Sequence, residues 1–140
     1  MGLVIKAKDG NIKLSDDLEG MRKALLIDAQ ELARKLEQKE DKKKGRGKIE
    51  LKPTKLRQYY QAIVHIYEQM KEKEQKDNLW IQFYILKAKV RYDYGREMVT
   101  ELFEDFITSA VENVKTKEDL EKFKLFFEAV VGFFPKSTSS

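Results

Sequence analysis

Four cations sit among tyrosines and aliphatics in the stretch ILKAKVRYDYGRE, residues 85–97: Lys87, Lys89, Arg91 and Arg96. A second group, TKLRQYY from residue 54, sets Lys55 and Arg57 where a helix can begin after Pro53. Lysine and arginine so placed do one kind of chemistry well: they hold phosphate oxygens. The first turn of a helix already favours an anion through its free N–H groups and its dipole. Cations there cost a little stability unless an anion is present, and a phosphate would reverse that cost. In a helix, Lys89 and Arg96 are seven apart and share one face, while Lys87 and Arg91, four apart, share roughly the opposite one. Long stems can lie on apolar surface while their charged heads reach water. Tyr59, Tyr60, Tyr84, Tyr92 and Tyr94 offer base-stacking surfaces, but at helical spacing their first use is core packing.

Other chemistry is missing. His65 is the sole histidine; helical phase puts it opposite an apolar stripe, with no orienting partner nearby. There is no phosphate-binding glycine loop, no dinucleotide glycine pattern and no HExxH. The chain has no cysteine, which removes disulfides and thiolate metal sites. Adjacent acids such as Glu104 and Asp105 read as solvated surface. The sequence therefore proposes no catalytic residue, no metal site and no cofactor, and a self-contained enzyme is not expected. No run reaches the roughly 18–20 apolar residues of a membrane span, and the start, MGLVIKAKDG, is too charged for a secretory signal. A reducing cytoplasm fits.

The net charge of +4 is modest, but it is unevenly spread. Residues 41–57 hold eight Lys/Arg against two acids, and residues 86–96 hold four against one. Residues 97–140 hold five against nine. Positive charge concentrated in the middle suggests a surface that faces a polyanion.

The elements that must carry these cations are helices. With 41% hydrophobic residues, two prolines and seven glycines in 140 residues, the chain reads as one all-α domain over 1–140, a compact bundle of about five helices. Residues 1–14 read as extended, with an Asp-Gly turn signal, either a hairpin or an ordered arm. Asp16 with Glu19 fits a capping box, followed by Leu18, Met21, Leu25, Ala29, Leu32 and Leu36 at helical spacing. Residues 38–51 read as a mobile basic loop. Thr54 is a candidate cap for a second helix bearing Leu56, Tyr59, Tyr60, Ile63, Tyr67 and Met70. Asn78 can cap a third, apolar on two sides: Ile81, Tyr84, Ile85, Ala88 and Tyr92, then Phe83, Leu86, Val90 and Tyr94. Two apolar sides predict a helix in the middle of the bundle. Gly95 either kinks it or separates it from a fourth, with Val99, Leu102, Phe103, Phe106 and Ala110. Thr116 with Asp119 opens a fifth, with Leu120, Phe123, Phe127, Val130, Val131 and Phe134. Pro135 stops it, and 136–140 reads as a frayed tail.

The motifs TKLRQYY, LKAKVRYDYGRE and FKLFFEAVVGFFPK, in this order and spacing over residues 54–136, resemble the small Csm-type subunit of type III-A CRISPR interference complexes, the second in that series. The segment Gly132-Phe133-Phe134-Pro135 departs from the Ala-Tyr that relatives more often show there, and residues 1–50 add little to the likeness. The resemblance implies a non-catalytic, all-helical subunit of an antiviral effector complex, in several copies along its inner filament. It implies contact with target RNA and with the guide RNA backbone through Lys55, Arg57, Lys89, Arg91 and Arg96. The other partners it implies are the remaining effector subunits and further copies of the chain; an apolar helix face would allow a homodimer in isolation, and the lack of a long apolar run points to no membrane.

Two alternatives stand beside this. A helical protein–protein interaction module would pair its cations with acids and ignore RNA. A DNA-binding helical regulator would need an exposed recognition helix, for which the third helix is too apolar.

Overall fold

Where the first helix starts is decided by Asp17, whose carboxylate accepts the Gly20 amide and the Ser15 hydroxyl. Gly20 is needed at this turn, because a Cβ there would overlap the Ser15 hydroxyl. Asp16, the expected cap, instead pairs with Lys122. The computed structural model describes residues 3–7, 10–72 and 76–135. The tail 136–140 and its Lys136, and Asp9 of the expected turn, lie outside these residues.

Strands β1 (Leu3–Ala7) and β2 (Gly10–Leu14) form an antiparallel hairpin in which Leu3 faces Leu14 and Ile5 faces Ile12. An isolated hairpin is marginal; this one buries Leu3, Ile5, Ile12 and Leu14 in the core and packs along a helix. Next come α1 (Leu18–Lys23), a π-helical turn (Ala24–Asp28) and α2 (Ala29–Glu37), whose junctions keep helical dihedrals and so make one continuous rod. A two-residue ladder follows, β3 (Glu40–Asp41) against β4 (Lys48–Ile49). Four further helices complete the fold: α3 (Pro53–Glu72), α4 (Asp77–Gly95), α5 (Glu101–Asn113) and α6 (Lys117–Phe133). Counted by rods, this is a mostly helical bundle of five.

The π turn explains a miss in the first stripe. The Ala29 N–H bonds to the Ala24 carbonyl five residues back. The wider turn slips the helical phase by about one residue, so Ala24 and Ala29 are both buried while Leu18 is 82% exposed. Two expected caps are also displaced. Pro53 itself takes the first position of α3, where its missing N–H costs nothing, and Asn78 lies inside α4, which starts at Asp77. Thr116 does cap α6, accepting the Asp119 amide, while the Asp119 carboxylate accepts the Lys115 amide. Thr100 caps α5 by accepting from Phe103.

The core is aromatic. Phe106 lies 5.3 Å from both Phe123 and Phe127, and Tyr59 meets Phe103 edge-on at 5.4 Å. Fully burying such rings contributes about 1.5–3 kcal/mol each. The helix buried most nearly all round is α5, eight of whose thirteen residues are buried. This corrects the expectation for the third helix. α4 lies at the edge of the bundle and buries only the stripe Leu79, Phe83, Leu86, Val90 and Asp93. Its other stripe, Ile81, Tyr84, Ile85, Ala88 and Tyr92, faces solvent.

Gly95 is the last residue of α4 rather than a kink. The stop comes from Glu97 in the left-handed region at φ 62°, a position glycine usually fills. The Met98 amide then bonds back to the Asp93 carbonyl.

Candidate nucleic-acid interface

α4 presents its cations on two flanks, and the structure treats the flanks differently. On the α5 side, Lys87 pairs with Glu112 at 2.7 Å and Arg91 with Glu104 at 2.9 Å. Glu104, expected on the solvated surface, is instead mostly buried, so the Arg91 guanidinium answers a carboxylate with little access to water. That hydrogen bond and charge together raise the Arg91 pKa. On the α3 side, Lys89 and Arg96 are exposed and neither forms an ion pair among the described residues. The Lys89 ammonium lies 5.6 Å from the Tyr59 ring centroid, a weakly attractive placement for a cation. Arg96 donates to the Tyr92 hydroxyl at 2.8 Å, which also pushes its pKa up.

Behind this second flank lies a buried polar knot. Asp93 accepts the Tyr59 hydroxyl at 2.6 Å and faces Lys55 at 3.6 Å. The Lys55 and Asp93 side chains are 19% and 7% exposed. Burial, and then the Asp93 hydrogen bond, push the Tyr59 hydroxyl well above its ordinary range. Tyr59 therefore stays protonated and donates. A buried carboxylate is tolerated here because a cation and a hydroxyl both answer it. The knot ties α3 to α4, with Lys55 at the Asp93 carboxylate and the Lys89 ammonium over the Tyr59 ring.

The five cations singled out in the sequence thus separate. Lys55 reaches Asp93 and Lys89 reaches the Tyr59 ring that is bonded to Asp93, and helical phase puts Arg96 on the flank of Lys89. Arg91 stands on the opposite flank in its ion pair. Arg57 is exposed but points elsewhere, beside a recess of about 210 Å³ that it lines with Pro53, Leu56, Val131, Gly132, Phe134 and Pro135. Two residues along a helix turn the chain by about 200°, so Lys55 and Arg57 cannot serve one strand from one side. His65 is exposed, as its phase predicts.

Sequence reasoning missed two features. The Tyr59–Asp93 bond joins residues 34 apart, and no local pattern carries it. The segment 38–51, expected as a mobile basic loop, holds the β3–β4 ladder, and its Glu40 carboxylate accepts the Glu101 and Leu102 amides at the start of α5. Acid followed by dense charge and glycine was the only available signal, and it also fits a loop. Among the described residues, no group of His, Cys, Asp or Glu is arranged to hold a metal ion, and no helix is long and apolar enough to cross a membrane.

A family model described as Csm2 Type III-A matches the chain over residues 23–138. No curated protein and no solved structure matches it.

Proposed function

The chain belongs to the Csm2 Type III-A family, the small subunit of type III-A CRISPR effector complexes, and on that premise we propose that it is a non-catalytic scaffold for the backbone of the guide–target RNA. It acts in the cytoplasm, in the inner filament of the complex, for antiviral defence. The observation that carries this reading is the α3-side flank of α4, where Lys89 and Arg96 face solvent and neither forms an ion pair among the described residues. Lys55 stands behind them, held by Asp93. A subunit that must accept any target gains nothing from reading bases. Phosphates and riboses are the groups every RNA shares, and the A-form major groove is closed to side chains. Cations on a rigid helix, each with its charged group beside a tyrosine ring, suit that task.

The protein contacts of the same subunit use the exposed stripe Ile81, Tyr84, Ile85, Ala88 and Tyr92. Ile81, Tyr84, Ile85 and Tyr92 are between 52% and 60% exposed. Scattered apolar residues need no explanation, but a continuous row on a regular helix does. Neighbouring subunits, further copies of this chain among them, pack there, and the same row supports a homodimer in isolation.

The reading is tested with two labelled RNA strands of unrelated sequence, titrated by fluorescence anisotropy at several salt concentrations. Both should bind weakly and alike, with affinity falling steeply as salt rises. A second reading, a module that contacts only protein, is favoured by the ion-paired flank Lys87–Glu112 and Arg91–Glu104. Absence of RNA binding at low salt, with assembly into the complex intact, would select it.

A further inference from the structure

The β3–β4 ribbon carries a second set of cations, and the structure divides these as it divides those of α4. The stem is pinned by acids. Glu40 caps α5 through the Glu101 and Leu102 amides at 2.7 and 3.1 Å. Lys42 pairs with Glu97 at 3.2 Å, Lys43 with Glu101 at 3.3 Å, and Lys48 with Asp41 across the ladder. The Lys42 amide closes the turn on the Gly47 carbonyl at 3.1 Å, and Gly45 and Gly47 adopt φ of 81° and 110°. Those angles belong to the left-handed region that glycine enters without strain. Lys44, just before Gly45, and Arg46, between the two glycines, are exposed at the tip, and neither forms an ion pair among the described residues. Three stem lysines are thus spent on anchoring and two tip cations are left projecting. Glu97, the anchor of Lys42, is the residue directly after Arg96, so the ribbon is fastened at the end of α4 that bears the unneutralised flank.

We infer that the tip of this ribbon, Lys44 and Arg46, is a separate phosphate-contact site for an RNA duplex, extending the flank of Lys89 and Arg96 beyond the end of α4. This rests on the RNA-backbone reading above. A two-stranded ribbon is narrow enough to lie along the wide, shallow minor groove of A-form RNA, and its cations can reach the phosphates that border the groove. Gly45 and Gly47 present no side chain of their own at the tip, so only the Lys44 and Arg46 side chains stand between its backbone and the strand. The anchoring matters for affinity: a tip held by four stem contacts loses little freedom on binding.

The experiment uses the full-length protein and a 20-base-pair RNA duplex of arbitrary sequence, titrated by anisotropy over a range of salt. Three double variants are compared with the parent: Lys44→Ala with Arg46→Ala, Lys89→Ala with Arg96→Ala, and Lys23→Ala with Arg34→Ala. The last removes two cations on α1 and α2 that are already paired with Asp28 and Glu31. The tip residues are exposed and form no ion pair among the described residues, so their removal should leave the melting curve unchanged. Two lost phosphate contacts should lower the slope of log K against log salt by about 1.8 for the tip variant, and by a similar amount for the Lys89/Arg96 variant. The α1–α2 control should keep the parent's slope. A tip variant with the parent's slope and affinity, while the Lys89/Arg96 variant is weakened, overturns the ribbon site and leaves the wider reading standing. An equal loss in the control also overturns it, since net charge alone would then explain the effect. A tip variant that binds RNA normally but fails to join the other subunits assigns the tip to a protein neighbour. A parent that binds no duplex at low salt overturns both readings.

Discussion

Replacing Lys55 by alanine tests the knot that supports the proposed interface. Asp93 is 5% exposed and its carboxylate has two partners, the Tyr59 hydroxyl and the Lys55 ammonium. At 3.6 Å and an effective dielectric of about 20, the Lys55–Asp93 attraction is about 4–5 kcal/mol in gross terms. Desolvation of both groups returns most of it. Fully buried pairs lose about 3–5 kcal/mol when one partner goes, and exposed pairs about 0–1. With Lys55 partly exposed and the contact loose, Lys55→Ala should cost about 1–2 kcal/mol. Asp93→Asn should cost less, because the amide oxygen still accepts from Tyr59 while the freed ammonium turns to water. Asp93→Leu should cost about 1–3 kcal/mol by orphaning the buried Tyr59 hydroxyl. The assay is urea unfolding followed by circular dichroism, with the m-value checked for constancy. A cycle built from Lys55→Ala, Asp93→Asn and the double variant isolates the coupling. Additive costs, or a Lys55→Ala variant as stable as the parent, would refute the idea that Asp93 depends on Lys55.

Arg91→Ala should destabilise without weakening RNA binding, because it strands the buried Glu104 carboxylate; a fall in melting temperature of about 3–6 °C is expected, largely restored by Arg91→Lys. At position 97, relief of the left-handed backbone is worth about 1 kcal/mol and the lost Lys42 pair about 0–1. Glu97→Gly should therefore leave the melting point equal or slightly raised and Glu97→Val should lower it; equal behaviour of the two would contradict the strain at this residue. Ile85→Lys should keep stability within about 0.5 kcal/mol, since the residue is mostly exposed. The same variant should fail to co-purify with neighbouring subunits, and normal co-purification would remove the stripe from the protein interface.

Helix existence and core stripes were largely legible from spacing. Leu56, Tyr59, Ile63, Tyr67 and Met70 of α3 are all buried, as are Val99, Leu102, Phe103, Phe106 and Ala110. Two kinds of feature were not. A π turn shifts phase without any residue type that announces it, and Leu18 was misplaced as a result. An apolar row reads the same whether the bundle or a partner covers it, so the Ile81–Tyr92 row was assigned to the bundle's middle. The sequence located the cations but could not say which were neutralised. That depends on acids such as Glu104, Glu112 and Asp93 meeting them across helix pairs, and such meetings are set by tertiary packing.

The central claim is that the two flanks of α4 differ because one is answered by acids and the other is open to RNA. Two variants of equal charge loss on one helix test it: Lys89→Ala with Arg96→Ala, and Lys87→Ala with Arg91→Ala. Duplex RNA affinity is measured against salt well below each melting point. The first should lower the salt slope by about 1.8, and the second should leave it within about 0.3 of the parent. Equal slopes for the two variants would contradict the account.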